Sequence, residues 1–320
     1  MIRPLPILGV TAAAVILLSG CAAGAPADTS DELSIVASTS VYGNLAASIA
    51  GDLATVTSII DDSAVDPHSF EASARDQLAI ADADLIIENG GGYDPFMDSL
   101  IEASGSSATV VEAVEASGLL DDEHSHGADE DGADDHADDA GHDHIEGFNE
   151  HVWYSLHGMT HVVEAIAAEL GTLDSDNAET YEANAADLTS QLEALETRAT
   201  DLATQIGGGG AAVTEPVPVY LLEAIGLTNV TPSDFTEAIE EGNDVPPLAL
   251  EDTIDLFAAG DARVLGYNEQ TASPETERVR DAAESAGVPV VGFSETLPDG
   301  ADYVSWMSGN LDALASALLP

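Results

Sequence analysis

Residues 178–210 read AETYEANAADLTSQLEALETRATDLATQIGGGG, and the spacing of their apolar side chains decides the architecture of the whole chain. Tyr181, Ala185, Leu188, Leu192, Leu195, Ala199, Leu202 and Ile206 follow one another in steps of four, three, four, three, four, three and four. That period places all of them on one narrow seam of an α-helix. At 1.5 Å per residue, some thirty residues form a rod on the order of 45 Å long. The four glycines at 207–210 stop it. A coiled-coil dimer could use the same seam. Four short heptads flanked by α/β segments suit better a helix lying across its own protein, so the chain is expected to be a monomer with a spine at 173–207 joining two lobes.

Outward from the spine, both flanks alternate strand and helix patterns. On the amino-terminal side, 32–172, Leu33–Ala37, Val56–Ile60, Leu85–Glu88 and Thr109–Glu112 are short β-branched runs that read as buried strands. Helical spacing occupies 41–51, 72–82 and 94–104 between them, and 157–170 after an acidic insertion. On the carboxyl-terminal side, 208–320, strands are predicted at Ala211–Thr214, Arg263–Gly266 and Pro289–Phe293. Helices are predicted at 217–225, 248–259, 274–286 and 303–318, with Pro232, Pro246 and Pro247 marking loops. Strand–helix alternation of this kind makes parallel sheets covered on both faces. The fold class is α/β, with a mostly parallel sheet flanked by helices in each lobe. Ligands of such sheets bind beyond the carboxyl ends of the strands.

The first twenty residues read as an export signal: Arg3, an apolar core through Val15–Leu18, then Leu18-Ser19-Gly20-Cys21. The last four resemble a bacterial lipobox, which makes Cys21 the lipidated first residue of the mature protein and 21–31 its tether. The expected location is the extracytoplasmic face of the cell membrane, held by that lipid. Cys21 is the only cysteine, so an intrachain disulfide and a thiolate zinc site are both excluded. Six arginines, no lysine and sixty acidic residues give a net charge of −54, which repels nucleic acid and excludes it as a partner. The acids spread over the entire chain, as adaptation to a salty milieu or selection for solubility would leave them.

Residues 121–148 form a His- and acid-rich loop. His124, His126, His136, His142 and His144 lie among twelve Asp and Glu between Asp121 and Glu146, with almost no large apolar side chain. Such a stretch cannot bury enough surface to order itself. Five of nine histidines in this one segment point to capture of a borderline divalent cation.

Four further residues stand at predicted strand ends or at loop exits. His68 sits in Asp66-Pro67-His68-Ser69-Phe70-Glu71, and His151 closes the acidic loop in Asn149-Glu150-His151-Val152-Trp153. Glu215 follows the strand Ala211–Thr214, and Glu295 lies in Phe293-Ser294-Glu295-Thr296. Taken singly, each has an ordinary explanation as a turn or solvated residue. Together with the Asn-Gly-Gly-Gly-Tyr-Asp run at 89–94, the His-rich insertion and the long mid-chain helix, they resemble the zinc/manganese solute-binding proteins of ABC transporters (the cluster A-I, or cluster 9, group). The resemblance covers nearly the whole mature chain. It implies two α/β lobes on a rigid helix with one metal ion in the cleft between them. His68 and His151 would be the first lobe's ligands, and Glu215 and Glu295 the second's. Glu150, Asn268 and Glu269 are candidate neighbours of the ion.

Two imidazoles and two carboxylates suit tetrahedral zinc, or manganese if the carboxylates chelate. The half-oxygen ligand set leans to manganese; the His-rich loop and the Irving–Williams order lean to zinc, which is the expectation. The function expected is zinc capture for an ABC permease, the alternatives being a manganese receptor of the same type or a metal-stabilised surface adhesin. No catalysis is expected. His157 and His161 make an i, i+4 pair, but Gly158 stands where a zinc-protease helix needs its general-base glutamate. That pair reads as one packed and one solvated residue of a helix face. No phosphate loop, nucleophile elbow or CxxC motif occurs.

Overall fold

A computed structural model describes residues 32–120, 145 and 147–320. The leader, Cys21, the tether at 21–31 and the loop residues His124, His126, His136, His142 and His144 lie outside the described residues.

Short apolar strands fed by helices of opposite direction can pair only in parallel, and both sheets are parallel throughout. The first lobe contains β1 (Leu33–Thr39), α1 (Ser40–Ala50), β2 (Ala54–Ile60), α2 (Ala74–Ala81), β3 (Leu85–Glu88), α3 (Pro95–Ser104), β4 (Thr109–Glu112) and α4 (Ala113–Ser117). Its strand order is β2-β1-β3-β4. Next come α5 (Leu156–Leu173) and the long helix α6 (Ala178–Ile206). The second lobe contains β5 (Gly210–Val213), α7 (Val219–Ala224), β6 (Thr228–Asn229), α8 (Ser233–Glu240), α9 (Pro247–Ala259), β7 (Ala262–Asn268), α10 (Pro274–Ala286), β8 (Val290–Phe293) and α11 (Tyr303–Leu318). Its order, β6-β5-β7-β8, repeats that of the first sheet. The α/β class with two parallel-sheet lobes is thus as the sequence indicates.

The buried residues of α6 are Tyr181, Ala185, Leu188, Leu192, Leu195, Ala199, Leu202 and Ile206, the eight members of the seam. They join one continuous core with the inner face of α5, with α1 and with α11. Past Ile206 the chain turns through Gly207 in the left-handed region (φ 74°), and the Arg263 guanidinium from β7 donates to the carbonyls of Ile206 (3.0 Å) and Gly208. A cation at a helix C-terminus satisfies orphan carbonyls and opposes the helix dipole. At Gly210 a Cβ would come within 2.2 Å of the Asp261 carbonyl oxygen, so no side chain fits where β5 starts.

Two departures from the sequence reading matter for the site. The stretch after β6 is not all loop: α8 occupies Ser233–Glu240, burying Phe235, Thr236, Ala238 and Ile239. Pro247 opens α9 rather than lying in a loop, because the first helical position has no amide bond to lose. The last helix, α11, packs on β7 and β8 of its own sheet and also reaches beyond it. The Tyr303 amide donates to Asn44 Oδ1 of α1 (2.9 Å) and Arg198 of α6 donates to Ser308 Oγ (3.0 Å), so α11 ties the second lobe to the first and to the spine.

Candidate metal centre

The carboxyl ends of β1, β3, β5 and β7 face one another across the cleft, and the loops leaving them carry the polar groups. The segment Asp66-Pro67-His68 turns back on itself because the His68 amide donates to Asp66 Oδ1 (2.9 Å), which aims the imidazole inward. Beyond β3, Asn89 is a fully buried bracket. Its side-chain amide donates to the Gly90 and Glu150 carbonyls (2.9 and 3.0 Å), and its Oδ1 accepts from the Tyr42 hydroxyl. The Asp94 carboxylate accepts from the Asn89 and Gly90 amides (2.7 and 2.8 Å). Gly90, Gly91 and Gly92 all hold positive φ (74°, 65° and 93°), which lets the run curl around that carboxylate and present Tyr93 to the cleft. The Asn-Gly-Gly-Gly-Tyr-Asp run is therefore a clamp on the segment that carries His151.

His151 is fully buried. Its Nδ1 lies 2.8 Å from Asn149 Oδ1, an acceptor, so Nδ1 carries the proton and Nε2 presents its lone pair to the cleft. From the opposite lobe come Glu215, past β5, and Glu295, past β8, 2 % and 1 % exposed. Asn268, the last residue of β7, bridges them: its side-chain amide donates to Glu215 Oε2 (2.5 Å) and Glu295 Oε1 (2.7 Å). Thr271 also donates to Glu215 Oε2 (2.5 Å), and the Tyr93 hydroxyl donates to Glu295 Oε2 (3.1 Å) across the cleft.

Donor atoms of His68, His151 and Glu295 lie within 4.8 Å of one another, and so do those of Glu150, His151 and Glu240. The separations are telling. His151 Nε2 is 3.5 Å from Glu240 Oε1, and His68 Nε2 is 3.6 Å from Glu295 Oε2 and 3.9 Å from Glu240 Oε1. These exceed hydrogen-bond lengths. With metal–ligand bonds of about 2.0–2.1 Å, neighbouring donors around a tetrahedral ion stand roughly 3.3–3.4 Å apart. The arrangement suits a cation between the groups better than protons between them.

Electrostatics agree. Burial, and then the neighbouring Glu295 charge, push the Glu215 carboxyl up to about 8. Burial followed by Asp66 takes Glu295 to about 8, and burial followed by the Glu150 charge takes Glu240 to about 10. Oε1 of Glu215 is buried and accepts no hydrogen bond. Buried carboxylates repelling one another at neutral pH either hold protons or require a positive ion.

Of the four sequence candidates, His68, His151 and Glu295 converge on one point. Glu215 stands beside them, joined to Glu295 through Asn268. Asn268 and Glu150 are both at the centre, whereas Glu269 is exposed and its carboxylate lies against Gly292 of β8. Glu240 was missed. The proline-flanked stretch that holds α8 reads as loop, so neither the helix nor the reach of its last residue toward two histidines was legible. His157 and His161 differ from expectation in that both are exposed. A cavity of about 400 Å³ opens from His68 and Glu240 to solvent, with Asp66, Glu241, Asp244 and Glu275 along it, an acidic mouth for a cation.

Residues 35–317 match the family model of ZnuA, the periplasmic zinc-uptake complex component A. The chain belongs to that family. It is 27% identical over 313 residues to the manganese-binding lipoprotein MntA of Halalkalibacterium halodurans, covering 95% of each chain. The zinc-binding lipoprotein AdcA of Streptococcus pneumoniae is also 27% identical, over 83% of this chain and 52% of AdcA. In architecture it matches the periplasmic zinc-binding protein TroA of Treponema pallidum with a TM-score of 0.70 at 18% identity, over 89% of this chain and 99% of TroA.

Proposed function

We propose that the chain is an extracytoplasmic zinc receptor that delivers its ion to an ABC permease. Membership of the zinc-uptake family places it among solute-binding receptors, and its relatives are metal-binding lipoproteins of such importers. The observation that carries the reading is the ring of donors from both lobes, His68 and His151 against Glu295 and Glu240, spaced at 3.5–3.9 Å around one point.

In this reading His68 and His151 ligate through Nε2 and Glu295 through Oε2. Glu215 and Glu240 supply the remaining oxygen. Asn268 and Asn149 act one step back: Asn268 sets the angle between Glu215 and Glu295, and Asn149 fixes the tautomer of His151. Loading replaces the protons of the buried carboxyls with the ion. Release needs only a small relative displacement of the lobes, because the ligands come from opposite sides. Cys21 would carry the lipid that holds the receptor at the membrane, and the five loop histidines would gather zinc for the cleft.

Manganese is the second reading, favoured by the number of carboxylates at the centre: Glu150, Glu215, Glu240 and Glu295 all lie at or beside it. Deleting the gene and measuring cellular zinc and manganese separates the two. Loss of zinc accumulation with manganese unchanged is expected; the reverse assigns manganese. Protein purified without chelator should carry about one equivalent of cleft-bound zinc that the variant His68→Ala, His151→Ala lacks. Equal metal content in the two proteins, with the loop histidines replaced in both, would end the cleft assignment.

A further inference from the structure

A second constellation of metal-binding side chains lies outside the cleft. His157 and His161, one turn apart near the start of α5, have ring centroids 5.0 Å apart with planes at 66°. His157 Nδ1 lies 3.8 Å from Glu196 Oε1, which projects from the spine helix α6 packed alongside. The His161 ring is fixed by a contact of 3.1 Å between its Nδ1 and the Ser117 carbonyl. A carbonyl can only accept, so Nδ1 carries the proton and the Nε2 lone pair is the one left for a ligand. Carbonyl-oriented imidazoles of this kind are the usual supporting arrangement of histidine ligands.

We propose that His157, His161 and Glu196 form a surface site for a borderline divalent cation such as zinc, separate from the cleft. Three features of the geometry support it. Residues i and i+4 share one helix face, so the two imidazoles form a chelating pair without any backbone change. The third donor comes from a different helix, and the contacts between α5 and α6 that fix its position are core contacts of the molecule. The 3.8 Å separation of His157 Nδ1 and Glu196 Oε1 is too long for a hydrogen bond and within a few tenths of an ångström of neighbouring donors on one zinc ion. The three donors do not all lie within 4.8 Å of one another as the side chains stand, so His157 and Glu196 must rotate about their side-chain bonds to close on an ion. The Coulomb attraction of an acidic molecule for cations keeps the local ion concentration high. Solvent completes the shell, so the site exchanges its ion freely, unlike the buried cleft. Two imidazoles and one carboxylate select zinc over manganese. The proposal does not rest on the cleft's assignment.

The test follows the ring nitrogens of His157 and His161 by 15N–1H correlation spectroscopy on the full chain during titration with zinc chloride, the signals being assigned with His157→Asn and His161→Asn. Both rings should shift together, and the same shift should persist in the variant His68→Ala, His151→Ala. In His161→Asn, the zinc concentration needed to move His157 should rise about tenfold or more, and Glu196→Gln should raise it for both rings. His157 and His161 are exposed and Glu196 is half-exposed, so folding is not at stake in the variants of this site. Two outcomes would overturn the site: a His157 response unchanged in His161→Asn, or ring signals that stay still through two equivalents of zinc. Loss of the response in the cleft variant would show instead that the rings only sense the cleft.

Discussion

At the scale of single residues the cleft is a problem in proton and cation bookkeeping. Glu88, Glu215, Glu240 and Glu295 have carboxyls raised by burial to about 8, 8, 10 and 8, and Asp94 is raised to about 6. In the unfolded chain these groups titrate near 4. A carboxyl whose folded value is raised binds protons more tightly in the native state. Its contribution to stability is present at acid pH and is lost as pH climbs through the folded value. The metal-free protein should therefore melt at a higher temperature at pH 6 than at pH 8, the reverse of an ordinary salt-bridged domain. Calorimetry in the presence of a chelator checks this, and a higher melting temperature at pH 8 would refute the charge assignment. Zinc competes with the same protons, so affinity should climb from pH 6 to pH 8 as both imidazoles and carboxyls give theirs up. Neutralising Glu240 by Glu240→Gln replaces a carboxylate facing both histidines with an uncharged, weaker amide donor. It should weaken zinc binding by roughly ten- to a hundredfold, measured by competition with a chromophoric chelator, while raising metal-free stability; unchanged affinity would place Glu240 outside the coordination sphere. His68, His151 and Glu295 were singled out through the family resemblance that their flanking motifs carry; taken singly, each had an ordinary explanation. Glu240 was not singled out, since its place depends on how far α8 leans over the cleft, a tertiary fact that no local pattern encodes.

At the scale of elements, α6 shows how much a regular period can specify. Its eight-member seam is the buried set of the helix, packed in one core with α5, α1 and α11. Leu192 sits mid-seam with no exposure, and Leu192→Ala should cost about 2–5 kcal/mol in denaturant unfolding. Gln191→Ala, on the outer face, should cost under about 0.5 kcal/mol. A similar loss at both positions would mean that the seam is not what holds the spine. The end of the helix is equally specific: Arg263, one of only six arginines, caps the Ile206 carbonyl at the junction between spine and second sheet. Elements with strong periodicity or tight β-branched runs, such as β3, β4, α10 and α11, were readable to the residue. The two-residue β6 and the helix α8 were not read, since two residues carry no period and α8 lies in a proline-flanked stretch that looked like loop.

At the scale of the molecule, the two lobes are held shut by bonds that bypass the metal. Gln270 donates across the cleft to the Val65 carbonyl (2.8 Å), the Tyr154 hydroxyl to the Ser294 carbonyl (2.7 Å), and the Asn149 side chain to the Pro216 carbonyl (3.1 Å). Ser40 Oγ accepts from the Leu297 amide (3.1 Å), and α11 crosses from one lobe to the other. A receptor that closes on its ligand by a wide hinge would keep its lobes apart until the ligand arrived, with the linking strands free to bend. Here one long helix and five sets of contacts between protein groups span the junction, so opening must break several part-buried hydrogen bonds at once. The expected motion is a small slide of the cleft loops, the shear mode of domain closure rather than the hinge mode. Backbone shifts on zinc loading should stay near 1 Å over both sheets, and the radius of gyration from X-ray scattering should change by less than about 1 Å. Replacing Gln270 by Ala removes both its bond to Val65 and its support of the Glu295 amide, from which its Oε1 accepts at 2.6 Å. Zinc release measured by stopped-flow chelation should speed up in that variant while the scattering profile stays constant. A profile that expands by several ångströms when zinc is removed from the wild-type chain would show that the spine bends, and the rigid-cleft account of release would fail.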